Sequence, residues 1–192
     1  MTKTTFLLTS LLLVGPSLAS AADDDKPTSR PRPPEIEERL RQLHQEADIL
    51  KVKKAAMHYG ASEEAANALQ HKVRTICDEL GAPFKLFHAD PYRLRESGQP
   101  DLSEAQARSM GALLRESYLD KVAVERGRRE ALQLAPCYSC DHGLNFCLNL
   151  TDDVIDDCFA EVQSASWCLG LWHDLMTGCF TRHATCLNGC SY

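Results

Sequence analysis

From Glu35 onward, apolar residues recur at three- and four-residue steps, a rhythm that predicts amphipathic helices. In the first, Ile36, Leu40, Leu43, Ala47, Leu50 and Met57 form the stripe, and Gly60 ends the helix. Ser62 is placed to cap the second, with Glu63 and Glu64 beside the positive end of its dipole. Ala66, Leu69, Val73, Ile76 and Leu80 give it an inner face, and Gly81 with Pro83 stops it. A loop follows through Pro100. Asp101 is then the expected cap of a third helix, with Glu104 three residues on as in a capping box. Ala107, Met110, Leu114, Tyr118 and Val122 would line that helix's inner face. Each stripe lasts about three heptads, which is short for a long coiled coil. The fold class expected is all-α, a small helical bundle or hairpin over residues 35–129.

Beyond residue 129 the spacing of cysteines replaces apolar rhythm as the main signal. Eight of the nine cysteines fall at 137, 140, 147, 158, 168, 179, 186 and 190, with separations of 3, 7, 11, 10, 11, 7 and 4. The series is nearly the same in reverse. In an antiparallel helical hairpin, facing positions have numbers that sum to a constant, and this series has that property about a centre near Gln163. Steps of 3, 4, 7 and 11 are whole turns of helix, so each arm keeps its cysteines on one face. The expected pairing is nested: Cys137-Cys190, Cys140-Cys186, Cys147-Cys179 and Cys158-Cys168. Ser164 or Ser166 would cap the second arm, while Asn149 and Thr151 point to a break in the first. Gly143, Gly170, Gly178 and Gly189 count against helix in both arms. Saposin-like modules resemble this pattern in their early CxxC, nested bridges and all-helical fold, but have three bridges and longer, more apolar arms. Helical hairpins of plants and toxins stapled by CxxxC pairs are similar in geometry, with fewer bridges.

The N-terminus decides what those thiols become. Lys3, an apolar run from Phe6 to Val14 and the small residues Ala19-Ser20-Ala21 read as a secretory signal peptide over residues 1–21. The run is about half the ~20 residues needed to cross a bilayer, so no integral membrane span is expected. Residues 22–34 are polar and proline-rich and read as a disordered leader. A secreted, extracellular chain makes disulfides where a cytosolic one would suggest zinc. The ninth cysteine, Cys77, is left as a buried thiol, an intermolecular bridge to a second copy, or a partner for the C-terminal module.

Charge divides the chain at the same place. Residues 22–129 hold nineteen basic and nineteen acidic side chains, whereas residues 130–192 hold Arg182 against eight acids, a net of −7. Nucleic acid is excluded as a partner for so acidic a module, and an extracellular protein with a basic surface is favoured. At the boundary, Arg126-Gly127-Arg128-Arg129 resembles the recognition motif of furin-type proteases, and cleavage after Arg129 would release all eight clustered cysteines. The helical region would then be a propeptide.

Other motifs are weaker. Cys137-Tyr138-Ser139-Cys140 has redox spacing without the βαβ context it needs. His173-Asp174 resembles the His-Asp pair of secreted phospholipases A2, but the calcium loop of that family is absent. Cys140, His142 and Cys147, or His183 and Cys186, have zinc-like spacing, with oxidation competing. Asn149-Leu150-Thr151 is a glycosylation sequon, and Trp167 and Trp172 are candidate binding anchors. The expectation is a non-enzymatic binding protein without cofactor or metal, acting as a released ligand, effector or toxin-like piece. An intact extracellular binding or structural protein, a saposin-like lipid binder and a His-Asp hydrolase are the alternatives.

Overall fold

A computed structural model describes residues 33–96, 100–132, 134 and 137–190; the expected signal peptide and the leader up to Arg32 lie outside them. Six helices follow in order: α1 (Pro34–His58), α2 (Glu63–Leu80), α3 (Pro91–Glu96), α4 (Glu104–Ala131), α5 (Tyr138–Glu161) and α6 (Ala165–Gly189). No strand occurs among the described residues. The fold is all-α, a helical bundle followed by a disulfide-stapled antiparallel hairpin.

Local chemistry sets several of the helix ends. Ser62 caps α2 by accepting from the Ala65 N–H, and Gly81 closes it in the left-handed conformation at φ 61°. Ser164 caps α6 by accepting from the Trp167 N–H. Two expectations are corrected here. The cap of α4 is Ser103, in a reciprocal capping box with Gln106, so the Asp101/Glu104 frame is two residues early. Thr151 does not break α5, because its hydroxyl donates to the Cys147 carbonyl and stays inside one continuous helix. The loop after Gly81 also holds the short α3.

The faces the helices bury were partly legible. On α2 the whole expected stripe is buried, together with Cys77. On α4 only Ala107 of the expected face is fully buried, with Gly111 beside it, and Met110 is exposed. On α1 the expected stripe is the wrong one. Ile49, Val52, Ala55 and Ala56 are buried, whereas Ile36, Leu43, Leu50 and Met57 are about half exposed. The second half of α1 turns its other face to α2 and to the segment after Gly81. In that segment Ala82, Phe84, Leu86 and Ala89 are buried.

Residues from Pro33 on form one compact unit. Helix α2 packs on α5, α4 packs on α6, and α1 packs on α2. A single apolar core runs from Ile49 and Leu69 to Leu148, Ile155, Trp167 and Leu171. The α5–α6 turn docks on the α1–α2 turn, where the Gln163 N–H donates to the Tyr59 carbonyl at 2.8 Å. The charge and cysteine boundary near residue 129 is therefore not a boundary in packing.

Two α6 glycines that read as flaws have a packing reason. A Cβ at Gly170 would lie 2.6 Å from the His88 carbonyl oxygen, and one at Gly178 would meet the Pro83 carbonyl. Both let the segment after α2 lie directly on α6. Gly127, by contrast, faces open space. Gly170→Ala is expected to destabilise by about 1–3 kcal/mol through overpacking, and Gly127→Ala to stabilise by up to about 1 kcal/mol. Urea unfolding of the two variants checks both signs.

Candidate functional site

The cysteines form a four-rung ladder. Cys137 is bonded to Cys190, Cys140 to Cys186, Cys147 to Cys179 and Cys158 to Cys168, with Cα atoms 5.7–6.4 Å apart. The ladder takes the Cys140 and Cys147 thiols that a zinc site would need, and the CxxC thiols of Cys137 and Cys140. Cys77 is free and buried, and burial pushes its thiol up to about 12, with Asp78 adding to the effect. A bridge between copies through Cys77 would require the core to open.

The acidic face has found cations within the chain. Arg108 pairs with Asp156 at 2.7 Å, Arg115 with Asp152 at 2.6 Å and Arg126 with Asp141 at 2.9 Å, and Lys72 pairs with Asp157. All four cations come from α2 or α4, and all four acids from α5. Each such surface pair contributes about 0–1 kcal/mol, so their role is register more than stability. Asp141 also meets the buried His183, whose Nε2 is 3.0 Å from its Oδ1.

The protease-like motif lies within the last turns of α4. Arg126 is held by Asp141, Arg128 by Glu125, and Arg129 donates to the Leu187 carbonyl at 3.3 Å. A protease that needs an extended segment would have to unwind this end of α4 first. Asn149 is exposed on α5, so a glycan there would project into solvent, while Thr151 is fully buried. The tryptophans are not exposed anchors. Trp167 is buried in the core with its Nε1 donating to the Ala89 carbonyl at 2.9 Å, and Trp172 is buried against α4 beside Gly111.

Asp174, read in the sequence only as half of a His-Asp pair, is a buried carboxylate, 4% exposed. Its oxygens accept from the backbone N–H groups of Phe87, His88 and Ala89 at 2.9–3.1 Å. Its Oδ1 also lies 2.7 Å from His88 Nδ1. A carboxylate at this depth needs several donors to offset its lost hydration, and the loop before α3 supplies them. The arrangement brings His88 against His173, with ring centroids 3.7 Å apart and the planes inclined at 48°.

Both histidines line a cavity of about 820 Å³. It is also lined by Leu169 and Gly170 of α6, Met57 to Gly60 at the end of α1, Met110 and Leu114 of α4, and Asp101 and Leu102. Asp101, displaced from its expected capping role, accepts instead from the backbone N–H groups of Leu102 and Ser166. Partial burial works to raise its carboxyl. The hydrogen bonds from Ser166, Ser164 and Leu102 outweigh that and hold it below the usual carboxylate range.

No family model, curated protein or solved structure matches the chain. The site therefore has to be judged on its own geometry.

Asp174→Ala would leave three loop N–H groups and the His88 ring without their acceptor. A loss of about 3 kcal/mol or more in urea unfolding is expected, against less than about 0.5 kcal/mol for the exposed Asp153→Ala. His173 yields a pH effect. Burial lowers its pKa below the ordinary 6.5, the neighbouring His88 adds to this, and Asp174 opposes it. The unfolded chain therefore takes up this proton first as pH falls, and stability drops below about pH 6.5 until the folded pKa is passed. His173→Gln should reduce the difference between unfolding midpoints measured at about pH 7.5 and about pH 5.5.

Proposed function

We propose that the chain is a secreted, non-enzymatic protein that works uncut and binds a small amphipathic molecule in the cavity beneath α4. The observation that carries this reading is that the cavity has walls from both sides of Arg129. Met57, Met110 and Leu114 come from the helical region, and Leu169, Gly170 and His173 from the cysteine module. Release of the module would take away half the pocket. It would also leave Trp167, Leu171 and Ile155, now fully buried, facing water.

The cavity's volume falls within the range of about 300–1,000 Å³ usual for small-molecule sites. Its lining combines apolar side chains, Met57, Met110, Leu114 and Leu169, with three imidazoles, His58, His88 and His173. That combination suits a ligand with an apolar body and a polar or anionic head. Four of the six acids of α5, the face that net charge assigns to an external basic partner, are engaged with the chain's own α2 and α4 cations, so the reading rests on the cavity.

Two measurements test the proposal on the full chain expressed in a secretory host. Mass spectrometry of the unreduced secreted product should find a single chain still joined across Arg129-Glu130. Fluorescence titration with a dansylated medium-chain fatty acid should saturate at one equivalent, and Leu114→Arg should weaken it at least tenfold. A secreted fragment beginning at Glu130 would show a precursor instead. Failure of an intact chain to take up the probe would exclude an acyl-type ligand.

A further inference from the structure

We infer that His88 and His173 form a binding site for zinc, with Asp174 as the residue that positions His88. One donor atom from each of the three residues lies within 4.8 Å of the other two. Two of them are imidazoles, with ring centroids 3.7 Å apart and planes inclined at 48°, held on separate elements: His88 on the loop before α3, and His173 on α6. The site goes beyond the proposed cavity ligand and does not depend on it, since its ligands are the protein's own side chains.

The proton inventory around Asp174 defines the donors. An ionised carboxylate only accepts hydrogen bonds, so at 2.7 Å the His88 Nδ1 must carry its proton toward Oδ1. A neutral ring so held has its lone pair on Nε2, one of the two nitrogens through which imidazole binds metals. A carboxylate behind a histidine in this way is the usual outer partner of a zinc-bound imidazole, fixing the ring and raising its basicity. The Asp174 oxygens are already committed to three backbone N–H groups and the His88 ring. They have little left to offer calcium or magnesium, which need several oxygen ligands. Imidazole donors suit zinc instead.

The surroundings allow an ion to be reached and completed. The His88 side chain is 43% exposed, and both rings line the cavity. Water, or the head of a cavity-bound molecule, would fill the remaining positions of a tetrahedral ion. Asp174 also brings a negative charge close to the ion, at a depth where solvent screens it weakly. The other cluster with metal-like spacing, Cys137, Cys140 and Cys190, is consumed by two disulfides.

The test uses the full secreted chain, stripped with chelator and free of any affinity tag containing histidine. Isothermal titration with zinc chloride alone should show one equivalent bound. His173→Gln and His88→Ala should each weaken it by tenfold or more, and His142→Ala on the outer face of α5 should leave it unchanged. A second reading does not rely on the variants folding. In the unmodified chain, one equivalent of zinc should shift the ring ¹⁵N resonances of His88 and His173 ahead of the other five histidines. No saturable binding, binding that survives both substitutions in folded protein, or ring shifts centred on other histidines would each overturn the assignment. Because no acyl probe is present, these outcomes are independent of whether the cavity takes up a lipid-like ligand.

Discussion

One buried charge organises the centre of this protein. The Asp174 carboxylate sits inside the core, where an unpaired charge would be costly, and the loop from Phe87 to Ala89 bends over it so that three successive N–H groups meet its oxygens. That requirement, with Gln45 and Asp48 accepting from the Phe84 and Leu86 N–H groups, sets the path of the segment between α2 and α3. It forces the backbone against α6, which only Gly170 and Gly178 allow, and it brings the Ala89 carbonyl to the Trp167 indole. It also delivers His88 to His173. The meeting of the two histidines, and one of the joins between the two halves of the chain, follow from where one carboxylate is satisfied.

The disulfide ladder supplies the rigid half of that arrangement. Four bridges hold α5 and α6 in fixed register, and constraining the unfolded chain in this way stabilises a fold by about 2–4 kcal/mol per bridge. Helix α6 thereby becomes a firm surface on which the loop, α4 and the cavity are built. Yet the ladder does not make the C-terminal module self-sufficient. Its largest buried side chains, Trp167, Leu148, Ile155 and Leu171, belong to one continuous core with Val52 of α1, Leu69 and Ile76 of α2 and Phe84 of the loop. The ion pairs from Lys72, Arg108, Arg115 and Arg126 to α5 cross the same boundary. Composition divides the chain in two; packing does not.

What the sequence made legible follows from how local each signal is. The α5–α6 hairpin could be read because cysteine spacing carries both helical period and antiparallel register, and the caps at Ser62, Gly81 and Ser164 because they act within one turn. The α1 face was misread because that helix has two apolar stripes, and only tertiary contact decides between Leu43–Leu50 and Ile49–Val52. Ser103 won the α4 cap from Asp101 because Asp101 is drawn to the N–H of Ser166, 65 residues away. Asp174 was beyond reach for the same reason. Its partners lie 85 to 87 residues earlier, and nothing adjacent to it in the chain marks it as buried. Net charge misled about the acidic face, since it counts the acids of α5 without showing that α2 and α4 bring cations to them.

The central claim is that residues on the two sides of Arg129 form one cooperative fold. Equilibrium urea unfolding with disulfides intact tests it most directly, followed at once by Trp fluorescence and by the amide resonances of α2. Both tryptophans lie in α6, so the two probes report on opposite sides of the boundary. The account predicts coincident transitions with a single midpoint. Loss of the α2 signal at lower urea, while the tryptophans keep their native emission, would contradict it and leave the cysteine hairpin as an independent domain.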